Sequence, residues 1–327
     1  MRARADESRL KVWMLLGANR LVVAAILAAV VFTSLMVLAV VIYPSLQVSL
    51  QRGDTLETAF TTMVSVIVTA ATLVVSINQL VLSQENGPLG DQRRRMSNTE
   101  DFRTYTEELL GSTAPADPSH LLRALVDESR QRAKRLRRLV GENDRDDDLQ
   151  DQLDEFVDSL EGNAETVHDQ LEGSSFGTFD VLHAALDYNY SWKIFHVDRM
   201  KNEFEDSLSR EEEEGFHDLK TALAMFGPAR EHVKTLYFEW ALVDLSQYIL
   251  FSAIPALVVA AAMFLFVGEG TFPGTTLGVE DITWVTVAAF TVTLLPFLIF
   301  ISYILRIATV AKRTLAIGPL ILRDSQR

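Results

Sequence analysis

Apolar residues follow two different rhythms along this chain. Four runs, at about 21–43, 58–83, 240–267 and 282–306, are almost continuously apolar. Each is long enough to cross a hydrocarbon core of about 30 Å at 1.5 Å per residue. Between the second and third runs the apolar residues recur instead at steps of three and four on a polar background, the pattern of amphipathic helices. The two rhythms together predict an all-α integral membrane protein with four transmembrane helices and a helical domain inserted between spans 2 and 3. The expected divisions are an N-terminal segment 1–20, helices 1 and 2 in 21–86, the helical domain in 87–227, helices 3 and 4 in 228–310, and a tail 311–327.

The second run departs from plain apolarity in an ordered way. Thr58, Thr62, Ser65, Thr69, Thr72, Ser76 and Gln79 follow one another at steps of four and three, which on an α-helix puts all seven on one face. Val64, Val66, Ile67, Val68, Leu73, Val74, Val75 and Ile77 occupy the rest. Two explanations fit such a stripe. Small hydroxyl residues let helices approach closely and bond back to their own carbonyls, so the stripe can be a packing seam. Uncharged hydroxyls also hydrate a passing solute without trapping it, so the stripe can be a pore lining. Ser83 and Asn86 continue the line before Gly87-Pro88-Leu89-Gly90 breaks the helix. The first run, by contrast, has little polarity and reads as lipid-facing, with Tyr43-Pro44 closing it at the outer interface.

In the polar middle, Ser97 with Glu100 has the form of a capping box. A second helix is expected at about 119–140, and Leu149, Leu153, Phe156, Leu160, Val167 and Leu171 mark a third. A fourth is expected over 178–208, carrying Trp192, Phe195, Met200 and Phe204. Gly227-Pro228 suits the first turn of a further helix, and no breaker intervenes before Ile254. One rod would then join the domain to the third span. Pro255 and Pro296 should kink spans 3 and 4.

Charge sets the orientation. Arg2, Arg4, Arg9, Lys11 and Arg20 precede the first run, Arg93, Arg94 and Arg95 follow the second, and Arg306, Lys312 and Arg313 close the fourth. By the positive-inside rule both termini and the middle domain are expected in the cytoplasm, with the protein multi-pass in the cell membrane. The formal net charge is −14, from 44 acidic against 30 basic residues, with Arg far more frequent than Lys. Such a composition resembles that of haloarchaeal membrane proteins and implies acidic surfaces that hold water and cations. It also argues against nucleic acid, which the domain would repel. With no cysteine in the chain, disulfides and thiolate metal sites are excluded.

Several charged groups are candidate sites. Asp244 near the start of span 3 and Arg306 near the end of span 4 lie at the same end of the membrane and are expected to pair. Arg93, Arg94 and Arg95, and the block Arg130, Arg132, Lys134, Arg135, Arg137 and Arg138, are candidates for attracting anions or anionic lipid. Pairing with acidic neighbours is the simpler reading of the second block. Asp144, Asp146, Asp147, Asp148 and Asp151 lack the glycine and glutamate register of a calcium loop. They read, like Glu211 to Glu214, as solvated or helix-opening charge. The histidines show no ligand spacing, and no Walker loop, GxSxG or strand-linked GxGxxG occurs. No metal, no cofactor and no enzymatic activity are expected.

Two spans, a large helical domain and two further spans, with both ends inside, is an order similar to bestrophin-type anion channels and to the large-pore four-span channels. That resemblance is one of topology. It implies a second span that lines a pore, which matches the stripe at 58–79, although the aromatic and proline-containing neck of bestrophins and the cysteine-linked outer loops of the large-pore families are absent from this sequence. The expectation is a homo-oligomeric channel for inorganic ions in a lipid bilayer, weakly selective because its lining is hydroxyl. The alternative is a membrane-anchored sensor or scaffold whose cytoplasmic helices bind a protein partner. A secondary transporter ranks third, since no midplane charge or inverted repeat is visible.

Overall fold

The structure is a computed structural model that describes residues 8–41, 54–85, 87–143, 147–174, 179–268 and 270–314. Arg2, Arg4, Tyr43-Pro44, Asn86, Asp144, Asp146 and the tail from 315 onward lie outside the described residues, as do the side chains of Arg9 and Arg313. The described part is almost entirely helical. A short helix α1 (Arg9–Val12) runs into a π-turn at Trp13–Gly17. It is followed by α2 (Arg20–Val41), α3 (Thr55–Glu85), α4 (Leu89–Leu110), α5 (Pro118–Asn143), α6 (Asp147–Leu171), α7 (Phe179–Asp187), α8 (Tyr190–Glu203), α9 (Arg210–Phe266) and α10 (Asp281–Thr314). Four of these helices, α2, α3, α9 and α10, are long and apolar enough to cross a membrane.

The helices group into two compact units, one of Gly87–Trp240 and one of Ser8–Asn86 with Ala241–Ala311, and α9 contributes to both. In the first unit α6 lays down Leu149, Leu153, Phe156, Leu160, Ala164, Val167 and Leu171 as a buried line. That line meets Leu122, Leu125, Leu136 and Val140 of α5 and Phe216, Leu219, Leu223 and Phe226 of α9. Several ends are capped as physical chemistry requires. Asp117 accepts from the backbone N–H of Ser119 at 2.9 Å and of His120 at 3.2 Å, opening α5. Its carboxyl is held below the usual range, chiefly by the hydroxyl of Ser119. Ser209 and Glu212 bond each other's backbone N–H at 3.3 and 2.7 Å, a capping box that opens α9 within its glutamate run.

Three expected boundaries fall elsewhere. α4 starts at Leu89, directly after Pro88, so Ser97 lies inside the helix and caps nothing. The helix expected over 178–208 is two helices, because at Asn189 the backbone (φ −79°, ψ 66°) makes an inverse γ-turn closed by Tyr190 N–H to the Tyr188 carbonyl at 2.8 Å. Side chains hold that break: Asn163 donates to the Asp187 carbonyl at 3.2 Å and accepts from Lys193 at 2.6 Å, and the Lys193 ammonium sits 4.6 Å from the centre of the buried Tyr188 ring. Finally, Gly227-Pro228 starts no helix, since α9 begins at Arg210 and passes through it. The glycine is there for space. A Cβ at 227 would stand 3.0 Å from the Tyr190 hydroxyl and 3.1–3.2 Å from its ring.

In the second unit the contact surfaces are small and apolar. Ile67 of α3 meets Ala253 and Ala256 of α9, and Leu56 and Phe60 meet Ala260 and Met263 of α9 and Ala289 of α10. Alanines let the helix axes approach, the usual basis of association where lipid supplies no hydrophobic drive. One cluster joins all four spans through Ala24, Val74, Leu245, Ile249, Ile299 and Tyr303. Most of α2 stays bare, with Val22, Val30, Val37, Leu38 and Val41 exposed. Between α9 and α10 a two-residue hairpin pairs Thr275–Thr276 with Val279–Glu280 through Leu277 and Gly278, both at positive φ.

Candidate functional site

α3 uses its faces unequally. Its buried residues are Leu56, Phe60, Ile67 and Val74, at steps of four and seven. At about 100° per residue these share one narrow face. The seven residues Thr58, Thr62, Ser65, Thr69, Thr72, Ser76 and Gln79 are all exposed, and their mean direction lies about 180° from that packed face. Val66 and Leu73 border the stripe on one side and Val68 and Val75 on the other, all exposed. Among the described residues the polar face is left exposed along its length, with Phe290 of α10 beside its first turns.

The hydroxyls along it point back into their own helix. Thr62 donates to the Thr58 carbonyl at 2.7 Å, Ser65 to Thr61 at 3.4 Å, Thr69 to Ser65 at 2.8 Å, Thr72 to Val68 at 3.0 Å and Ser76 to Thr72 at 3.3 Å. Each proton is therefore used within the helix, and the oxygen lone pairs remain outward. At the first turns of α3 the stripe opens on a shallow cleft of about 570 Å³ lined by Asp54, Thr55, Thr58, Thr62, Met63 and Phe290. The stripe carries no fixed charge from Thr58 to Gln79.

The expected Asp244–Arg306 pair is not formed. Asp244 is exposed and makes no ion pair among the described residues, whereas Arg306 donates to the backbone carbonyl of Ala18. Arg20, only 4% exposed, converges on the same place. Its guanidinium donates to the carbonyls of Ala18 at 3.2 Å, Met14 at 3.1 Å, Leu15 at 3.4 Å and Ser302 at 3.2 Å. A helix end leaves carbonyls without amide partners. Here the π-turn at Trp13–Gly17 ends in extended backbone at Ala18 (ψ 147°), and the two arginines satisfy what it leaves open. Sequence inspection pairs charges with charges; backbone acceptors give no residue-type signal, so this junction was not foreseen.

The basic block of α5 divides in two. Arg130 pairs with Asp127 at 3.4 Å, Arg132 with Glu128 at 2.6 Å and Asp218 at 3.7 Å, Lys134 with Glu161, and Arg137 with Asp154, Asp158 and Glu161 at 3.9, 2.9 and 3.6 Å. Arg135 and Arg138 make no ion pair among the described residues and line a cleft of about 650 Å³ opposite Glu211 and Glu214. Of the earlier triplet, Arg94 lies 3.8 Å from Asp91, while Arg93 and Arg95 are exposed and without an ion pair among the described residues.

One grouping had no counterpart in the sequence reading. His168, Asp169 and Glu172 bring their ligand atoms within 4.8 Å of one another at the end of α6. The Nε2 of His168, however, faces the Arg123 guanidinium at 2.8 Å. A fixed cation at that nitrogen opposes a second one, so the geometry suits an ion-pair cluster with Asp127, 4.0 Å away, better than a metal.

Comparison with known proteins places the whole chain, residues 1–327, in one family of unknown function, DUF7972. The chain belongs to that family. No curated protein and no solved structure matches it.

Proposed function

We propose that the chain assembles as a homo-oligomer that conducts inorganic ions across the cell membrane, with the hydroxyl face of α3 lining the path. The observation that carries this reading is the direction of the stripe: seven polar side chains on an apolar span are exposed on the face opposite the one by which α3 packs, with Phe290 of α10 flanking Thr58 and Thr62 at its first turns. Facing lipid, such a line gains nothing. Gathered about a common axis by several copies, it meets water, and its outward lone pairs supply hydration partners of modest strength. The order of spans, shared with bestrophin-type channels, is a further support from analogy. Both termini and the first unit lie on the cytoplasmic side in this reading, which the arginines at the span ends support. Selectivity is weak because no ring of fixed charge stands between Thr58 and Gln79.

The test is flux from liposomes holding the full chain. Thr69→Leu with Thr72→Leu lowers conductance if these positions see water, and an unchanged current would sink the assignment. Because the chain has no cysteine, Thr69→Cys gives a single reporter. A membrane-impermeant thiol reagent modifies it in a wet path and spares it in a dry seam between copies.

A second reading, an anchored scaffold whose first unit binds a protein partner, is favoured by the cleft at Arg135 and Arg138. Neutralising those two and measuring the anion-to-cation permeability ratio separates the roles. A shift places the arginines in ion steering; no shift leaves them to a partner.

A further inference from the structure

The first turns of α4 are unlike the rest of the first unit. Over residues 89–101 no side chain is buried, and two large apolar residues stand almost bare, Leu89 at 82% and Met96 at 74% exposure. Leu89, Arg93 and Met96 are spaced by four and three, so they share one face. The same helix meets its own core lower down through Phe102, Thr106 and Leu109. At about 100° per residue that direction is turned by about 130° from the Leu89–Met96 face, so the bare face is not waiting for the core beside it. Charge there is positive: Arg93, Arg94 and Arg95 against the single acid Asp91 in the first two turns. Among the described residues Arg94 alone of the three makes an ion pair, at 3.8 Å and well exposed, an arrangement that holds a charge weakly.

Chain length says what lies within reach. α3 has 31 residues, about 46 Å of helix, enough for the hydrocarbon core and both headgroup layers. Only three residues separate Glu85 from Leu89, and three residues extend about 10 Å at most. α4 thus begins within one short step of the headgroups at which α3 emerges.

We propose that the first two turns of α4, residues 89–96, rest on the lipid surface at that end of α3, with Leu89 and Met96 entering the acyl boundary and Arg93, Arg94 and Arg95 meeting the phosphates of anionic lipid, while Glu100, on the same face one turn further on, marks where the helix leaves that surface. An exposed apolar pair with Arg93 between its members, and with Arg94 and Arg95 on the two flanks of the helix, is the surface such a bilayer recognises, since arginine stems lie along the apolar layer while the guanidinium stays at the phosphate. This seat is independent of whether the chain conducts ions.

The experiment uses the full chain with Met96→Cys carrying a bimane fluorophore, in bilayers of phosphatidylcholine with or without phosphatidylglycerol. Lipids brominated on the acyl chain are expected to quench the probe when phosphatidylglycerol is present, and aqueous iodide is expected not to. Replacing Arg93, Arg94 and Arg95 with Gln should shift the bound-to-free ratio toward water by roughly fivefold per arginine, while Arg135→Gln with Arg138→Gln leaves it unchanged. Quenching by iodide and not by bromine in both membranes overturns the proposal. So does protection from both quenchers, which would mean that protein, not lipid, covers the face.

Discussion

α6 and α3 are built on the same periodicity and mean different things. Each buries one apolar line, Leu149, Leu153, Phe156, Leu160 and onward in α6, and Leu56, Phe60, Ile67 and Val74 in α3. The faces opposite differ. α6 exposes Asp148, Asp151, Glu155, Asp158, Glu165 and Asp169, a surface that only water can solvate. α3 exposes hydroxyls bordered by Val66, Val68, Leu73 and Val75, a polar track one or two side chains wide in a surface suited to lipid. Helical period therefore tells which face packs, and the residue types opposite tell which solvent that face meets.

The sharpest way to break the comparison is to cut the packed face of one helix and the open face of the other. Leu153→Ala, on the packed line of α6, should cost about 2–5 kcal/mol in denaturant unfolding. Thr69→Val, on the stripe of α3, keeps the volume and loses one back-bond, so it should cost less than about 1 kcal/mol. If the threonine change costs as much as the leucine change, the stripe is packed and the two helices are alike. Next in size is Arg20→Met, which strips bonds from the carbonyls of Met14, Leu15, Ala18 and Ser302 and should cost about 2–3 kcal/mol, read as a lower melting temperature in detergent. Gly227→Ala would ordinarily gain up to about 1 kcal/mol in a helix. With Tyr190 at 3.0 Å from the new Cβ it should instead lose about 1–2 kcal/mol, and a gain would show that Tyr190 yields easily.

The smallest expected effect concerns a proton. Burial, with Arg199 adding to it, pushes the His196 ring below the ordinary histidine range, and its centre lies 3.7 Å from that of Trp192. The folded state thus prefers the neutral ring. Its contribution is complete above the unfolded pKa of about 6.5 and falls away as pH drops through it, because the unfolded chain takes the proton first. Unfolding midpoints of the full chain at pH 7.5 and 5.5 should therefore differ more for the native protein than for His196→Phe. Equal differences would remove His196 from the pH dependence.

Much of this is legible in the sequence. The four spans follow from run length, the buried line of α6 from its apolar spacing, and the stripe of α3 from its threes and fours. The remainder depended on contacts between residues distant in sequence. Gly227-Pro228 looks like punctuation until Tyr190 is seen against the glycine, and the break after Tyr188 needs Asn163 and Lys193 to hold it. Charge alone matches Arg306 to Asp244, yet Arg306 donates to the carbonyl of Ala18. The start of α4 was missed for a more local reason: Pro88 already sets the turn, and the Ser97–Glu100 pair only imitates one.

The five back-bonded hydroxyls of α3 also have a mechanical side. Each adds a second donor to a carbonyl that already holds the backbone ladder, which loosens that ladder slightly and favours bending. All five sit on one flank of the rod, whereas the opposite flank is braced by Phe60, Ile67 and Val74. α3 is consequently stiff where it leans on its neighbours and compliant along the outer edge, a helix whose curvature can change at little cost while its footing stays fixed.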